Sequence, residues 1–435
     1  MIFSRKYTGA GSFLLLLFAS FFACYPKQKL KTTFITAVPA GEKQEPGVQA
    51  PPPRHPKSYD QTGKAGEGRP CCFDPLNYAP DTNYMDHFPM KLIRVNVHFM
   101  NSEDSTNMFL EEEGIRYARE MLYFANERIA QNHPMRLPLG NKTPCLPINF
   151  RLTLVARPGD PTDDGIYFHY DDELYGYVHK GKNVNNYSRN VFEKYGVQMD
   201  TVLNIFVMPH HPDSVMSPTY NAFGCGIALH NAVKVAGTFE LGTASWSIAP
   251  PLVHEFGHIL GLSHTWRYSD GCDDTPLNPN CWSPSLPGCD STTSNNIMDY
   301  NAFQNAWTPC QIGKSHLNIS NEKHRLRNLV DPRWCVLKEG AHIFIRDSVH
   351  WQGMKDLEGS LTVEPGGLLQ ISCRVSLPGG AKITVKPGGR LLLDNCRLHN
   401  ACGDLWQGIE VQALGDSKGE VIFLGTPVLE DVGQR

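Results

Sequence analysis

His254, His258 and His264 stand in the order H-E-x-x-H-x-x-G-x-x-H, with Glu255 and Gly261 at the other fixed positions. Residues four apart share one face of a helix, so His254 and His258 can hold a single ion. Glu255 lies beside the first histidine, where a carboxylate can take a proton from a water on that ion. Gly261 lets the backbone leave the helix at positive φ. The chain then turns and His264 returns as a third imidazole. Three neutral imidazoles leave the fourth tetrahedral position open to water, the pattern of a catalytic rather than a structural Zn2+ site. Zinc lowers the pKa of such a water to about 7. Downstream, Asn295-Asn296-Ile297-Met298-Asp299-Tyr300 reads as a Met-turn.

Elements that could carry these residues follow from the apolar pattern. Lys91 to Met100 alternates as a first strand. Phe109 to Asn132 has helical spacing, with Leu110, Ile115, Ala118, Leu122, Ala125 and Ile129 on one face. Ile148 to Ala156 and Thr201 to Met208 read as further strands, and Gly226 to Val235 as an edge strand. The histidine helix should run from about Ser247 to Leu260. This order fits an α+β domain built on a twisted sheet.

On these motifs the chain resembles the metzincin zinc metallopeptidases, and most of all the pappalysin (cytophagalysin) family. The resemblance is carried by Gly261-Leu262, His264-Thr265-Trp266, Asp274-Thr275-Pro276 and Asn296 to Tyr300. Thr308-Pro309-Cys310-Gln311 is similar to a segment that opens a helix after the Met-turn. It covers about residues 88–335. It implies a mixed sheet with an active-site helix, and a peptide-bond hydrolase with zinc on His254, His258 and His264. Glu255 would be the general base and Met298 the apolar floor beneath the metal. Tyr300 would ligate zinc at rest or hydrogen-bond the tetrahedral intermediate; a core tyrosine with a satisfied hydroxyl is the other reading. Calcium near Asp270, Asp273 and Asp274 is implied too, although these also read as solvated turn carboxylates. So is a crossed pairing of Cys272 with Cys289 and Cys281 with Cys310; four cysteines alone allow three connectivities. An edge strand would pair with extended substrate.

The rest of the chain suits an exported protein of several parts. Its 435 residues leave room for two or three domains, and a net charge of −4 offers no basic field for nucleic acid. Arg5 and Lys6 precede an apolar run from Phe13 to Ala23, too short to span a bilayer and suited to a signal peptide over residues 1–24. Ala23-Cys24 resembles a bacterial lipobox, so Cys24 is either lipidated, the one expected membrane attachment, or lost by ordinary cleavage. Residues 25–87 read as a disordered tether or propeptide, rich in Pro, Gly, Lys and Gln up to about residue 70. The catalytic domain is placed at 88–338. Setting Cys24 aside, twelve cysteines remain, an even number for a disulfide framework. Cys71 or Cys72 could instead act as a latency thiolate on the metal; as disulfide partners they would need mates such as Cys145 or Cys335.

Over 339–435, Leu361 to Leu369 is echoed by Ile383 to Leu391 at an offset of 22, with Pro-Gly-Gly between short β runs. This β-rich repeat resembles a partial right-handed β-solenoid; a small β-sandwich is the rival. Trp406 to Val411 should open another rung. Two functions follow: a zinc endopeptidase acting on protein or peptide substrates, or an inert surface-binding protein working through the repeats. Oligomeric state is left open.

Overall fold

The structure, a computed structural model, describes residues 29–39, 71–104, 109–180, 183–216, 225–237, 244–266 and 268–434. The expected signal peptide and Cys24 lie outside them. A first strand, β1 (Lys31–Ile35), falls within the segment expected to be a disordered tether, and its docking is described below.

The part that carries the three histidines is built on a mixed sheet. Its strands are β2 (Lys91–Asn101), β3 (Phe150–Leu154), β4 (Ile166–Tyr170), β5 (Leu203–Met208), β6 (Cys225–Leu229) and β7 (Ala232–Ala236). The order is β3-β2-β5-β7-β6, with β4 extending the β3 edge along the far half of β2. All pair in parallel except β6, which returns antiparallel to β7. The single edge strand expected over 226–235 is therefore a hairpin. His230, at φ 62°, makes the tight turn that an alternation pattern does not register.

Parallel strands need cover on both faces. Below lie α1 (Glu111–Ala130) and, after the short helices α2 (Asn190–Tyr195) and α3 (Pro212–Val215), α4 (Ala249–Ile259). Helix α1 buries Ala118, Leu122, Ala125 and Ile129 of the expected stripe and adds Met121, while Leu110 stands exposed at the N-cap. With Leu252, Val253 and Phe256 of α4 they cover Val95, Val97 and Phe99 of β2. Above, Phe206 and Met208 meet Tyr177, Val191 and Phe192. Helix α5 (Pro309–Ser320) completes this part; Thr308 and Gln311 form a capping box at its start.

From residue 343 the chain winds through four rungs. They are β8 (Ile343–Ile345), β9 (Ser348–Trp351) and β10 (Lys355–Asp356); β11 (Leu361–Val363), β12 (Leu368–Ile371) and β13 (Arg374–Ser376); β14 (Ile383–Val385), β15 (Arg390–Asp394) and β16 (Arg397–His399); and β17 (Ile409–Leu414), β19 (Glu420–Leu424) and β20 (Val428–Leu429), with β18 (Ser417–Lys418) folding back on β17. Corresponding strands stack in parallel as three ladders. The 22-residue echo is literal register, Leu361 against Ile383 and Leu368 against Arg390. Val363, Leu369, Ile371, Val385, Leu391 and Leu398 fill the interior, so the sandwich alternative falls away. Strand β1 pairs antiparallel with β17 and covers the open edge of the last rung, which corrects the expected disorder there.

Residues 71–87, also expected to be tether, form an arm of short 3-10 turns packed between α5 and the coil. Tyr78 donates its hydroxyl to the Cys72 carbonyl at 2.6 Å and accepts from the Met354 amide at 3.0 Å. The coil is fixed to the histidine-bearing part by an ion triad. Arg327 grips both oxygens of Asp356 at 2.7 and 2.9 Å, and Arg374 adds a third bond at 2.6 Å. Burial alone would raise the Asp356 carboxyl, yet Arg374 and Arg327 hold it far below its ordinary range.

Four disulfides are formed: Cys72–Cys373, Cys272–Cys310, Cys281–Cys289 and Cys335–Cys402. The crossed pairing is thus corrected to a nested one. Cys281 and Cys289 close a short loop on themselves, while Cys272 meets the first turn of α5 at a Cα separation of 5.6 Å. The partners suggested for Cys72 are also corrected: Cys145 stays a thiol, and Cys335 binds Cys402. Cys225 and Cys396 keep their thiols as well, so the twelve cysteines do not all pair.

Candidate functional site

Helix α4 delivers the first two histidines. Pro250 and Pro251 open it, where their missing N–H groups cost nothing. It ends in a Schellman motif: Leu262 donates to the Gly257 carbonyl and Gly261 to that of His258, both at 3.0 Å. Gly261, at φ 91°, supplies the left-handed residue. The reversal brings His264 back under the helix. Its Nε2 lies 3.2 Å from Nε2 of His254 and 3.1 Å from that of His258.

These contacts are not ordinary hydrogen bonds. His254 directs Nδ1 to the Ile297 carbonyl at 2.6 Å, and His258 directs Nδ1 to that of Leu262 at 2.9 Å. Both Nδ1 atoms must carry the hydrogen, so both Nε2 atoms present lone pairs to one point. Converging lone pairs call for a cation. Tetrahedral zinc with bonds of about 2.0–2.1 Å sets its donors roughly 3.3–3.4 Å apart, close to the spacing found. Burial, with the neighbouring imidazoles, pushes His254 down to about 3 and His264 to about 4. Neutral rings are what a metal requires.

Glu255 faces the edge strand. Its carboxylate accepts the Ala228 backbone N–H, and burial raises it to about 7. A bound cation would draw that value down. A Cβ at Gly226 would stand 2.7 Å from Cγ of Glu255, so the side chain rests directly on the β6 backbone. The Met-turn lies beneath the histidines. Met298 is fully buried, and a Cβ on Gly257 would meet its sulfur at 2.4 Å; the floor is packed against the helix at the one residue that admits it. The Tyr300 ring stands 4.8 Å from His264 and 5.7 Å from His254, and is 46% exposed. A core tyrosine would not be so open. Burial of its hydroxyl end still raises the phenol above its ordinary value.

Several supports carry no motif of their own. Asp299, buried, accepts from Thr265 at 2.5 Å and from Asn278 at 3.0 Å, tying the residue after His264 to the Met-turn. Asn296 and Gln311 exchange amide hydrogen bonds at 2.8 and 3.0 Å, so the capping residue of α5 also braces the turn. Gln304 donates through Nε2 to the Asp299 carbonyl at 3.0 Å. Thr265, Asn296, Asp299 and Gln311 stood inside the quoted motifs, but nothing in the sequence signalled the bonds between them.

The three aspartates do not act together. Asp270 is buried and accepts from Cys272 N and Thr275 Oγ1 through Oδ1. Asp274 accepts from Cys310 N through Oδ2. The remaining oxygens, Asp270 Oδ2 and Asp274 Oδ1, are buried without hydrogen-bond partners. Burial and Asp270 raise the Asp274 carboxyl. Asp273 is exposed, outside this pair. Cys72, bonded to Cys373, is not available as a latency thiolate; the Cys71 side chain lies outside the described residues.

A family model and several solved structures are similar to parts of this chain. The peptidase M43 family model, described as pregnancy-associated plasma protein-A, matches residues 231–319. Similar solved structures include mirolysin in complex with a compound 9, at 19% identity over 55% of this chain and 96% of that one, with a TM-score of 0.39. Mature mirolysin of Tannerella forsythia with a cleaved peptide gives 20% identity, 55% and 95% coverage and a TM-score of 0.38. A promirolysin mutant of the same organism gives 16%, 57%, 86% and 0.38. No curated protein sequence matches the chain.

Proposed function

We propose, from the premise that this chain is a metallopeptidase of the pappalysin type across residues 231–319, that it is an exported zinc-dependent endopeptidase with Glu255 as general base. The observation that carries the reading is the convergence of Nε2 atoms from His254, His258 and His264 beside the Glu255 carboxylate. Zinc held there would supply Lewis acidity, making a water nucleophilic and polarising the scissile carbonyl. Glu255, oriented by the Ala228 amide and backed by Gly226, accepts the proton of the attacking water and passes it to the leaving amine. Tyr300, whose ring stands 4.8 Å from that of His264, would ligate zinc at rest or donate to the oxygen of the tetrahedral intermediate. The outer edge of β6 runs past Glu255 and offers backbone groups to an extended peptide.

Four disulfides favour an oxidising compartment, and no described helix is long and apolar enough to cross a membrane. Lipidation at Cys24 would anchor the protein to a surface. Calcium is proposed between Asp270 and Asp274, whose orphaned oxygens suit a hard cation; Asp273 is dropped from that set. The complete ligand and base set argues against an inert surface-binding protein.

Glu255→Gln should keep stoichiometric zinc by elemental analysis while losing activity by about three orders of magnitude. Proteome-wide cleavage profiling with and without a chelator supplies the assay. Substantial proteolysis by the zinc-loaded variant would refute the assignment of the base.

A further inference from the structure

We propose that Tyr187 is a substrate-contacting residue of the peptidase cleft, set opposite Tyr300 by the buried Lys234, and that it selects a bulky apolar side chain of the bound peptide. This rests on the peptidase reading above and adds to it a wall that no motif marks. Tyr187 and Tyr300 are 73% and 46% exposed, two open aromatic rings.

The loop that carries Tyr187 is built from beneath. Along β7, Val233 and Val235 enter the lower core, so Lys234 between them points to the upper face. There its Nζ lies 5.3 Å from the centre of the Phe192 ring and donates to the carbonyls of Asn185, Asn186 and Ser188 at 2.9, 3.4 and 2.7 Å. An ammonium has three hydrogens, and all three go to one loop. Asn185 fastens the same loop sideways, accepting from the Val178 amide at 2.8 Å and donating to the Gly176 carbonyl at 2.7 Å. Lys234 is 2% exposed, and burial pushes it down to about 8. A methionine would fill this place without desolvating a charge. What only the cation does is gather the carbonyls on both sides of Tyr187, which leaves that ring turned outward.

The loop stands over the edge of the cleft. Lys234 is paired with Ile227 of β6, one residue before Ala228, whose N–H holds the Glu255 carboxylate. The phenol of Tyr187 is near enough to bear on those of Tyr300 and Tyr177, and both of these feel the charge of Glu255. Tyr187 and Tyr300 therefore flank the base, one from the loop above β6 and the other from the Met-turn below. A peptide lying along β6 passes between them. A ring on a fixed loop adds contact area at little conformational cost, and a bulky apolar side chain gains most from its face.

Cleavage of a peptide library by the zinc-loaded full chain tests this. Wild type should favour Phe, Tyr, Leu or Met at one position near the scissile bond, and Tyr187→Ala should erase that preference. On a peptide chosen from the profile, Tyr187→Ala should raise KM about tenfold with kcat within about twofold, while Tyr187→Phe changes neither. Lys234→Met should raise KM as Tyr187→Ala does, and the double variant should be no worse than either, because one residue acts through the other. Additive losses would overturn the role of Lys234. Should Lys234→Met fail to fold, the surface change Tyr187→Ala decides alone. The same library captured on zinc-loaded Glu255→Gln reads binding without turnover: the apolar preference should reappear there and vanish when Tyr187→Ala is added. An unchanged preference in Tyr187→Ala, or an equal loss in Tyr187→Phe, would overturn the proposal. A wild type that cleaves nothing would sink the peptidase reading, and the capture experiment would still judge Tyr187.

Discussion

The coil and the loops around the metal site both lack long helices, yet opposite means hold them. In the coil each short strand lies on a copy of itself one rung away, and identical apolar positions stack inward. In the segment 265–308 almost nothing repeats. Order there comes from single polar contacts, Thr265 to Asp299, Asn296 to Gln311 and Asp274 to the Cys310 amide, and from two disulfides. A repetitive region spreads its stability over many equivalent contacts. A site assembled from distant residues concentrates it in buried polar groups, each of which fails separately.

Acid should separate the two regions most strongly. His98, His169 and His316 lie in the catalytic part. Burial lowers His98 well below its ordinary value, His169 to about 4 and His316 to about 3. Below about pH 6.5 the unfolded chain binds protons that these native rings refuse. Their contribution is therefore complete above pH 6.5 and is lost as pH falls towards 4 and then 3. For His316 this amounts to several kcal/mol, at about 1.4 kcal/mol per pKa unit. Hydrogen exchange at pH 4.5 should show the strands β2, β4 and β5 opening before the coil ladders do. Earlier opening of the coil would break the comparison.

Leu369→Ala should come next in size. The side chain is fully buried in the second rung, so the cavity costs about 3 kcal/mol. Urea unfolding should report this loss while kcat and zinc content stay at wild-type values. A matching fall in kcat would mean that the coil shapes the cleft.

Asp299→Ala is expected to do the converse. It strips Thr265 and Asn278 of their shared acceptor and loosens His264. Zinc affinity should fall roughly 10–100-fold in competition with a chelator, while the coil's unfolding stays in place. Unchanged affinity would show that the Schellman reversal alone fixes the third ligand.

Legibility in the sequence follows the same division. The histidine helix, the Met-turn and the rungs announce themselves because each repeats a spacing that physics makes periodic. Strand β4 and helix α2 were not anticipated; they are five and six residues long, with no run of their own to read. The hairpin at His230 hid inside an apolar alternation. The crossed disulfide pairing comes from the family resemblance and is wrong; the sequence alone leaves three connectivities open, and the nested pairing depends on where Asp274 seats the start of α5. The arm at 71–87 was grouped with the tether although the Pro-, Gly-, Lys- and Gln-rich composition ends near residue 70. Its order comes from Tyr78 and from contacts supplied by residues nearly three hundred positions away.

One of those contacts sets a schedule. Cys72 and Cys373 are separated by 301 residues, and Cys373 lies on the second rung. A chain emerging from its N-terminus therefore exposes the whole metal-binding segment before the partner thiol exists. The arm must wait, reduced or mispaired, until two rungs have wound. Closing so long a loop stabilises the finished protein by about 6 kcal/mol in the chain-entropy treatment. The coil thus acts as a proof of completion: a chain interrupted before residue 373 would hold every ligand and base residue, and still lack the bolt that locks its N-terminal arm.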